Sequence, residues 1–260
     1  MGGEKQFLPE SNVAVVIMAA GKGTRMKNPN LAKVMYELNG RPMIHYVVDL
    51  AYDLHARRVI VIVGYQREAV EDYIRRSHPD VECAVQEQQL GTGHAVMQAE
   101  KHLQSFAGDV LVLSGDVPLL MKPTMDQLLR HHRESRAIAT ILTADMEDPA
   151  GYGRIVRNED QSVKKIVEHK DALPEELSIK EINSGIYVFD KGKLFDGLAH
   201  ITSHNVQNEF YLTDVFEYFW KHRGKVSALK AHHLDEIRGI NTVTQLDEAM
   251  KVLESRQPEL

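Results

Sequence analysis

The sequence predicts a three-layer α/β/α fold around a mostly parallel mixed sheet, continuous with a smaller, β-rich second half. Three observations carry that expectation. Short apolar runs alternate with amphipathic helical stretches through the first half, a glycine-rich turn follows the first apolar run, and after Thr143 the pattern changes to shorter strands and turns. Strand–helix alternation of this kind builds parallel βαβ units whose helices cover both sheet faces. With 260 residues the chain is long enough to bury a large core, as one α/β domain or as one domain with a small appendage.

The predicted strands of the first half span 13–18, 59–63, 81–86 and 110–114. Between them, apolar periodicity predicts helices over 42–54, 66–76, 93–104 and 123–133. A strand over 137–143 follows, then short strands at 154–157, 163–168 and 186–189, with polar residues 170–180 before the last of them. A helix over 208–220 and a strand over 226–231 come next. The stretch 242–253 places Thr242 and Gln245 at capping-box spacing, followed by Leu246, Ala249, Met250 and Leu253 on one helical face. Residues 1–11 are expected to be extended or disordered, 12–241 to form the domain in halves 12–145 and 146–241, and 242–260 to form a C-terminal amphipathic helix.

Hydrophobic residues make up 43% of the chain and charged residues 26%, as in an ordinary globular protein. The formal net charge is -6 and no long Lys/Arg block occurs, which argues against nucleic acid or an anionic membrane as partner. The lone Cys83 excludes an intramolecular disulfide and a multi-cysteine metal site, and its apolar-leaning surroundings predict a buried, inert thiol. The polar N-terminus carries no secretory apolar region and no segment reaches membrane-spanning length, so a cytoplasmic protein is expected.

The loop after the first strand reads Ala19-Ala20-Gly21-Lys22-Gly23-Thr24-Arg25-Met26. Small residues leave the backbone N–H groups open to a phosphate, and Lys22 and Arg25 add charge beside them. The same residues also fit an ordinary strand-to-helix turn with a solvated Lys and Arg. Met26 breaks the dinucleotide fingerprint, and Gly23-Thr24 breaks the Walker A pattern.

Further along, Gln86, Gln88 and Gln89 precede Leu90-Gly91-Thr92-Gly93-His94, amides suited to a nucleobase edge or else a polar turn before a helix capped by Thr92. Ser114-Gly115-Asp116-Val117-Pro118 closes an apolar strand with a carboxylate placed for Mg²⁺, or with a turn-forming Asp. The runs 151–154, 167–171 and 181–185 together suit a sugar, although each alone is ordinary loop chemistry. His200 and His204 have helical spacing but lack a cysteine partner and an intervening Glu, so they read as surface histidines. No Gly-x-Ser-x-Gly nucleophile motif occurs.

In this order the motifs resemble the sugar-1-phosphate nucleotidyltransferases, and above all the uridylyltransferase (pyrophosphorylase) domain of bacterial bifunctional UDP-N-acetylglucosamine-synthesising enzymes. The resemblance runs from about 13 to about 253, through 19–26, 89–95, 115–119, 151–154, 166–172, 181–185, 207–214 and 239–241. It implies a Rossmann-like nucleotidyltransferase fold. It implies Ala19, Ala20 and Gly21 as backbone contacts to the nucleotide, within a binding loop that includes Met18, Lys22 and Gly23, and Arg25 as a phosphate-binding cation. Leu31-Ala32-Lys33 stands where the family has Leu-Pro-Lys, which makes Lys33 the second essential cation. Gln86, Gly91 and Thr92 match uracil-reading positions, with Gln89, Ser114 and Gly115 also on the nucleotide side. Asp116 and Asn241 match the Mg²⁺ ligands, and Gly153, Glu168 and Asn183 the sugar contacts. The departure at Ala32 loses a fixed φ, an entropic effect of about 0.4–1 kcal/mol on the approach to Lys33.

The implied reaction is attack by a sugar-1-phosphate oxygen on the α-phosphorus of UTP, with Arg25, Lys33 and Asp116 as the catalytic set and pyrophosphate leaving. The attacking phosphate is already ionised, so no general base is required. Other readings are a sugar nucleotidyltransferase using glucose-1-phosphate, dTTP or CTP, and a non-catalytic sugar-nucleotide sensor. The bifunctional relatives continue into a β-helix acetyltransferase through which they trimerise. This chain ends at Leu260, so a monomer or weak dimer is expected.

Overall fold

The computed structural model describes residues 12–23, 25–26, 28 and 30–256. The expectation for 1–11, and the last four residues of the expected C-terminal helix, lie outside the described residues. The chain runs β1 (Val13–Met18), a short hairpin of β2 (Glu37–Leu38) and β3 (Arg41–Pro42), α1 (Met43–Asp53), β4 (Arg58–Val63), α2 (Arg67–Ser77), β5 (Glu82–Val85), α3 (Thr92–Met97), β6 (Asp109–Ser114), α4 (Lys122–Ser135) and β7 (Ala139–Asp145). It continues with β8 (Arg154–Arg157), β9 (Val163–Val167), α5 (Pro174–Leu177), β10 (Glu181–Asp190), α6 (Lys191–Leu198), α7 (Asp214–Lys221), β11 (Val226–Lys230), α8 (Leu234–Ile237) and α9 (Val243–Arg256).

The main sheet has the order β11-β7-β10-β6-β1-β4-β5, with β8 and β9 joined to it through β10. β1 lies parallel between β4 and β6, and β5 extends the parallel run beyond β4. β10 is antiparallel to both β6 and β7, and β11 is parallel to β7. The mixed, mostly parallel sheet is therefore as expected. A strand from the second half, β10, sits between two from the first, so both halves share one sheet.

The two faces of β1 explain its unbroken apolar sequence. Val13, Val15 and Ile17 point into a core built with Ile44, Val47 and Val48 of α1, Val70 and Ile74 of α2, and Met125 and Leu128 of α4. Ala14 and Val16 point the other way, into a core with Val96 of α3, Leu194 of α6, and Val215, Phe216 and Phe219 of α7. A strand covered on both faces reads as a near-continuous apolar run, because a polar residue on either face would be buried. No helix among the described residues is long and apolar enough to cross a membrane.

Departures from the expected elements have local causes. The helix expected over 93–104 stops at Met97 and resumes only as a 3-10 turn, Glu100–Leu103. The helix expected over 208–220 begins at Asp214. Before it, Phe210 N–H donates to the Leu90 carbonyl at 2.7 Å, and the Phe210 carbonyl accepts from Gly93 N–H at 2.8 Å. Those bonds to a distant loop replace the helical ones. β10 is longer than the expected 186–189, because Glu181, Ile182 and Asn183 also pair with β7 before a register shift ahead of Tyr187. The sequence pattern does not predict α6; Asp190 caps it by accepting from Lys193 N–H at 2.9 Å. Cys83 is half-buried rather than buried, and burial still pushes its thiol up to about 11, in keeping with inertness.

Candidate active site

Parallel sheets of this kind bind ligands beyond the carboxyl ends of their strands. Here the ends of β1 and β6 and the residues following β5 open into a cleft of about 550 Å³. Met18, Ala19, Ala20, Gly21, Lys22 and Gly23 form one wall, and Gln86, Gln89, Gly91 and Thr92 another. Arg25, Lys33, Ser114, Asp116 and Asn241 complete it, together with Val34, Ala95 and Glu209, which residue type alone does not single out. Gly115, expected on the nucleotide side, does not line the cleft. It packs behind the wall, where a Cβ would meet Val34 and Ile44 at 3.0 and 3.1 Å.

The glycine loop is not a strand-to-helix turn; it leads to a 3-10 turn at Lys33–Met35. Gly21 faces open space, with nothing within 4 Å of where a Cβ would stand, so a ligand can approach its backbone. Gly23 has φ +60, and a Cβ there would lie 2.6 Å from the Lys33 Cβ. The Lys33 stem therefore rests directly on the loop backbone, an approach that only glycine permits. Ala32 is fully buried with φ -58 and ψ 137, within the range that a proline ring imposes. The backbone entering Lys33 thus keeps a proline-compatible shape without the proline.

The cationic and oxygen-bearing groups converge. Lys33 Nζ donates to Asp116 Oδ2 and, at 2.6 Å, to Asn241 Oδ1. Arg25 donates to the same Asn241 oxygen at 2.7 Å. Asn241 is oriented by its own bonds: its Nδ2 donates to the Gly239 carbonyl at 3.1 Å, and its N–H donates to Gln245 Oε1 at 2.7 Å. Gln245 N–H in turn donates to Thr242 Oγ1 at 3.2 Å. The expected capping pair is present, with Gln245 reaching back to Asn241. Ile240 N–H donates to the Asp116 carbonyl at 2.9 Å, which ties the segment before α9 to the end of β6.

The amide-rich wall is held from inside. Gln86 is buried, and its Nε2 donates to the Gly91 carbonyl at 3.0 Å, while Gln89 Nε2 donates to the Gln86 carbonyl at 3.2 Å. Gly91 has φ +110, and a Cβ there would lie 2.6 Å from the Phe210 carbonyl oxygen. Thr92 does not cap α3; the N-cap is Gly91, and the Thr92 hydroxyl instead accepts from Leu212 N–H at 3.0 Å. The loop ahead of α7 is thereby clamped onto this wall, which brings Glu209 to the cleft.

The three expected sugar contacts do not line this cleft. They gather instead just before β8 (Gly153), just after β9 (Glu168) and on β10 (Asn183). Asn183 N–H donates to the Gly153 carbonyl at 2.9 Å, and Asn183 Nδ2 donates to the Tyr187 hydroxyl at 2.7 Å. Glu168 accepts from the Thr213 hydroxyl at 2.9 Å and lines a second cavity of about 430 Å³ with Asp171, Tyr211 and Asp214. The two regions approach each other where Gly185 lies beside the Ser114 hydroxyl, 3.7 Å from a Cβ position. His200 and His204 are exposed at the rim of the second cavity, and among the described residues they join no group of three metal-ligating side chains.

Burial pushes the Glu168 carboxyl upward, with Asp171 and Glu209 adding like charge against the Thr213 hydrogen bond. Burial likewise pushes Asp214 up to about 6, with help from Glu168, Glu217 and Asp171. A carboxyl raised on folding holds its proton more tightly when folded. The contribution of Asp214 to stability therefore falls as pH rises from about 4 towards about 6, and its full penalty persists above that. Asp214→Asn is expected to raise the melting temperature near neutral pH and to change it little at about pH 4. Thermal melts across that range check this, and an equal gain at both ends would overturn it.

A family model described as nucleotidyl transferase matches residues 14–234. The chain is 48% identical over 241 residues to the bifunctional protein GlmU of Geobacillus thermodenitrificans, covering 93% of this chain and 52% of that one. The bifunctional protein GlmU of Pelobacter propionicus is 46% identical over 245 residues, covering 94% and 53%. This chain thus spans about half the length of the curated relatives it matches. A solved structure of UDP-glucose pyrophosphorylase complexed with UDP-glucose superposes with a TM-score of 0.75 at 19% identity, covering 94% of this chain and 99% of that one. That likeness shows the fold. With the family model matched from β1 to the start of α8, the chain belongs to the nucleotidyl transferase family.

Proposed function

We propose that this chain is a uridylyltransferase that makes UDP-N-acetylglucosamine and pyrophosphate from UTP and N-acetylglucosamine-1-phosphate. The observation that carries the reading is the meeting of Arg25, Lys33, Asp116 and Asn241, from distant parts of the chain, beside an open glycine loop. Both substrates are anionic. Two like unit charges at 4 Å repel by about 4 kcal/mol at an effective dielectric of 20, so neutralisation and alignment dominate the barrier. The loop backbone from Ala19 to Gly23 holds the triphosphate, Arg25 and Lys33 stabilise the departing pyrophosphate, and the Gln86–Thr92 wall reads the base. Gly153, Glu168 and Asn183 hold the sugar.

The residues fit Mg²⁺. Lys33 Nζ bonds both Asp116 Oδ2 and Asn241 Oδ1, so two hard oxygen donors already face one cationic centre. Mg²⁺ takes one or two protein oxygens of this kind and completes its shell with phosphate and water. When bound by Asp116 and Asn241, it supplies positive charge to the reacting phosphates. In this reading the enzyme works in the cytoplasm as a monomer or weak dimer, with no nucleic acid or membrane partner.

A pyrophosphate-release assay over UTP, dTTP and CTP, crossed with N-acetylglucosamine-1-phosphate and glucose-1-phosphate, with and without Mg²⁺, tests the proposal. Release is expected with UTP and the N-acetylated sugar only when Mg²⁺ is present. Preference for another pair would overturn the substrates, and no release with any pair would point to a sugar-nucleotide sensor.

A further inference from the structure

The flank formed by α1 and α2 carries a second constellation, made of residues that do not line the cleft. His45 and Asp49 stand four residues apart on α1 and share a helix face, and His78 is the C-cap of α2. His78 Nε2 lies 2.9 Å from Asp49 Oδ1, and His45 Nε2 lies 3.2 Å from Asp49 Oδ2. The imidazole centroids are 4.9 Å apart, and one ligand-type atom from each of the three residues falls within 4.8 Å of the others.

Each ring is also held from behind. The Tyr73 hydroxyl is 3.0 Å from His45 Nδ1, and the Ser77 hydroxyl is 2.8 Å from His78 Nδ1. Metal-binding histidines are oriented in this way, with the outer nitrogen on a hydrogen-bonding partner and the inner nitrogen directed at the ion. His78 is only 4% exposed, so packing fixes its direction. Bonds of about 2.0–2.2 Å in a tetrahedral site set neighbouring ligand atoms roughly 3.3–3.5 Å apart. The 2.9 and 3.2 Å spacings run to the two different oxygens of the Asp49 carboxylate, and one atom from each residue lies within 4.8 Å of the others, so a modest contraction closes the three round an ion.

We propose that His45, Asp49 and His78 form a site for a divalent transition metal of the zinc class that clasps α1 to α2. Two imidazole nitrogens and one carboxylate oxygen are a borderline donor set that prefers zinc to the harder Mg²⁺, and three protein ligands leave a fourth position open. One group opposes the ion: Arg41 NH1 lies 3.2 Å from His45 Nε2. Arg41 is exposed, and its removal should favour the metal.

The test is titration of Zn²⁺ into the metal-free full chain in excess Mg²⁺, followed by calorimetry, by competition with a chromophoric chelator and by thermal melting. The wild type is expected to bind one Zn²⁺ at this site and to melt higher when it does. His45→Gln and Asp49→Asn should each weaken that binding by at least about tenfold and lose the melting shift. Buried His78 stays in place, and circular dichroism should show both variants folded. A His200→Ala/His204→Ala double variant should bind as wild type, and Arg41→Ala should bind several-fold more tightly. Unchanged affinity in His45→Gln and Asp49→Asn, or no Zn²⁺-dependent melting shift in the wild type, would overturn the proposal.

Discussion

Asp116→Ala is expected to abolish Mg²⁺-dependent pyrophosphate release, by a factor on the order of 10²–10³ or more, while the protein stays folded. Its carboxylate is the charged member of the oxygen pair that faces Lys33. Without it, Asn241 alone offers a neutral oxygen to a divalent ion. Anionic substrates then approach with one strong point of neutralisation missing. The fold should survive because the backbone carbonyl of Asp116, not its side chain, receives the Ile240 N–H bond that ties the α9 entrance to β6. Asp116→Asn keeps the shape and removes only the charge, so it should lose nearly as much activity. Pyrophosphate release measured against Mg²⁺ concentration, with circular dichroism as the folding check, separates the outcomes. Near wild-type turnover in either variant would sink the metal assignment.

The parts legible in the sequence are those in which local pattern and tertiary environment agree. β1 and β6 begin and end within a residue of expectation because both faces of each strand are buried, so an apolar run has few other destinations. The glycine loop is legible for a similar reason: Gly23 is demanded by its φ and by the Lys33 stem at once. The segment 208–213 has a helical pattern, but the Phe210 N–H and carbonyl at its centre are satisfied by Leu90 and Gly93 more than 100 residues away, which no local periodicity reports. Lys33 and Asn241 carry no signal of their own. Family resemblance alone singles them out, and the structure brings them to one point. The His45, Asp49 and His78 group is invisible in the sequence because one helix and the end of another, separated by a strand, supply it. Neither half of that group is a motif alone.

Lys33→Ala is expected to move two measurements in opposite directions. Turnover should fall by a factor on the order of 10²–10³, since a preorganised cation beside the departing pyrophosphate is lost. Mg²⁺ binding without nucleotide should instead strengthen. The Lys33 side chain is 12% exposed and that of Asp116 23%, so their pairing is only partly screened by water, and in the proposed reading the ammonium would compete with Mg²⁺ for the same two oxygens. Lys33→Met separates charge from packing, because its stem can still rest on Gly23. If the ammonium is what matters, methionine and alanine should behave alike in both measurements. Loss of activity in the alanine variant alone would make Lys33 a packing residue. A fall in both turnover and metal affinity would mean that the ammonium helps to assemble the metal site rather than competing for it.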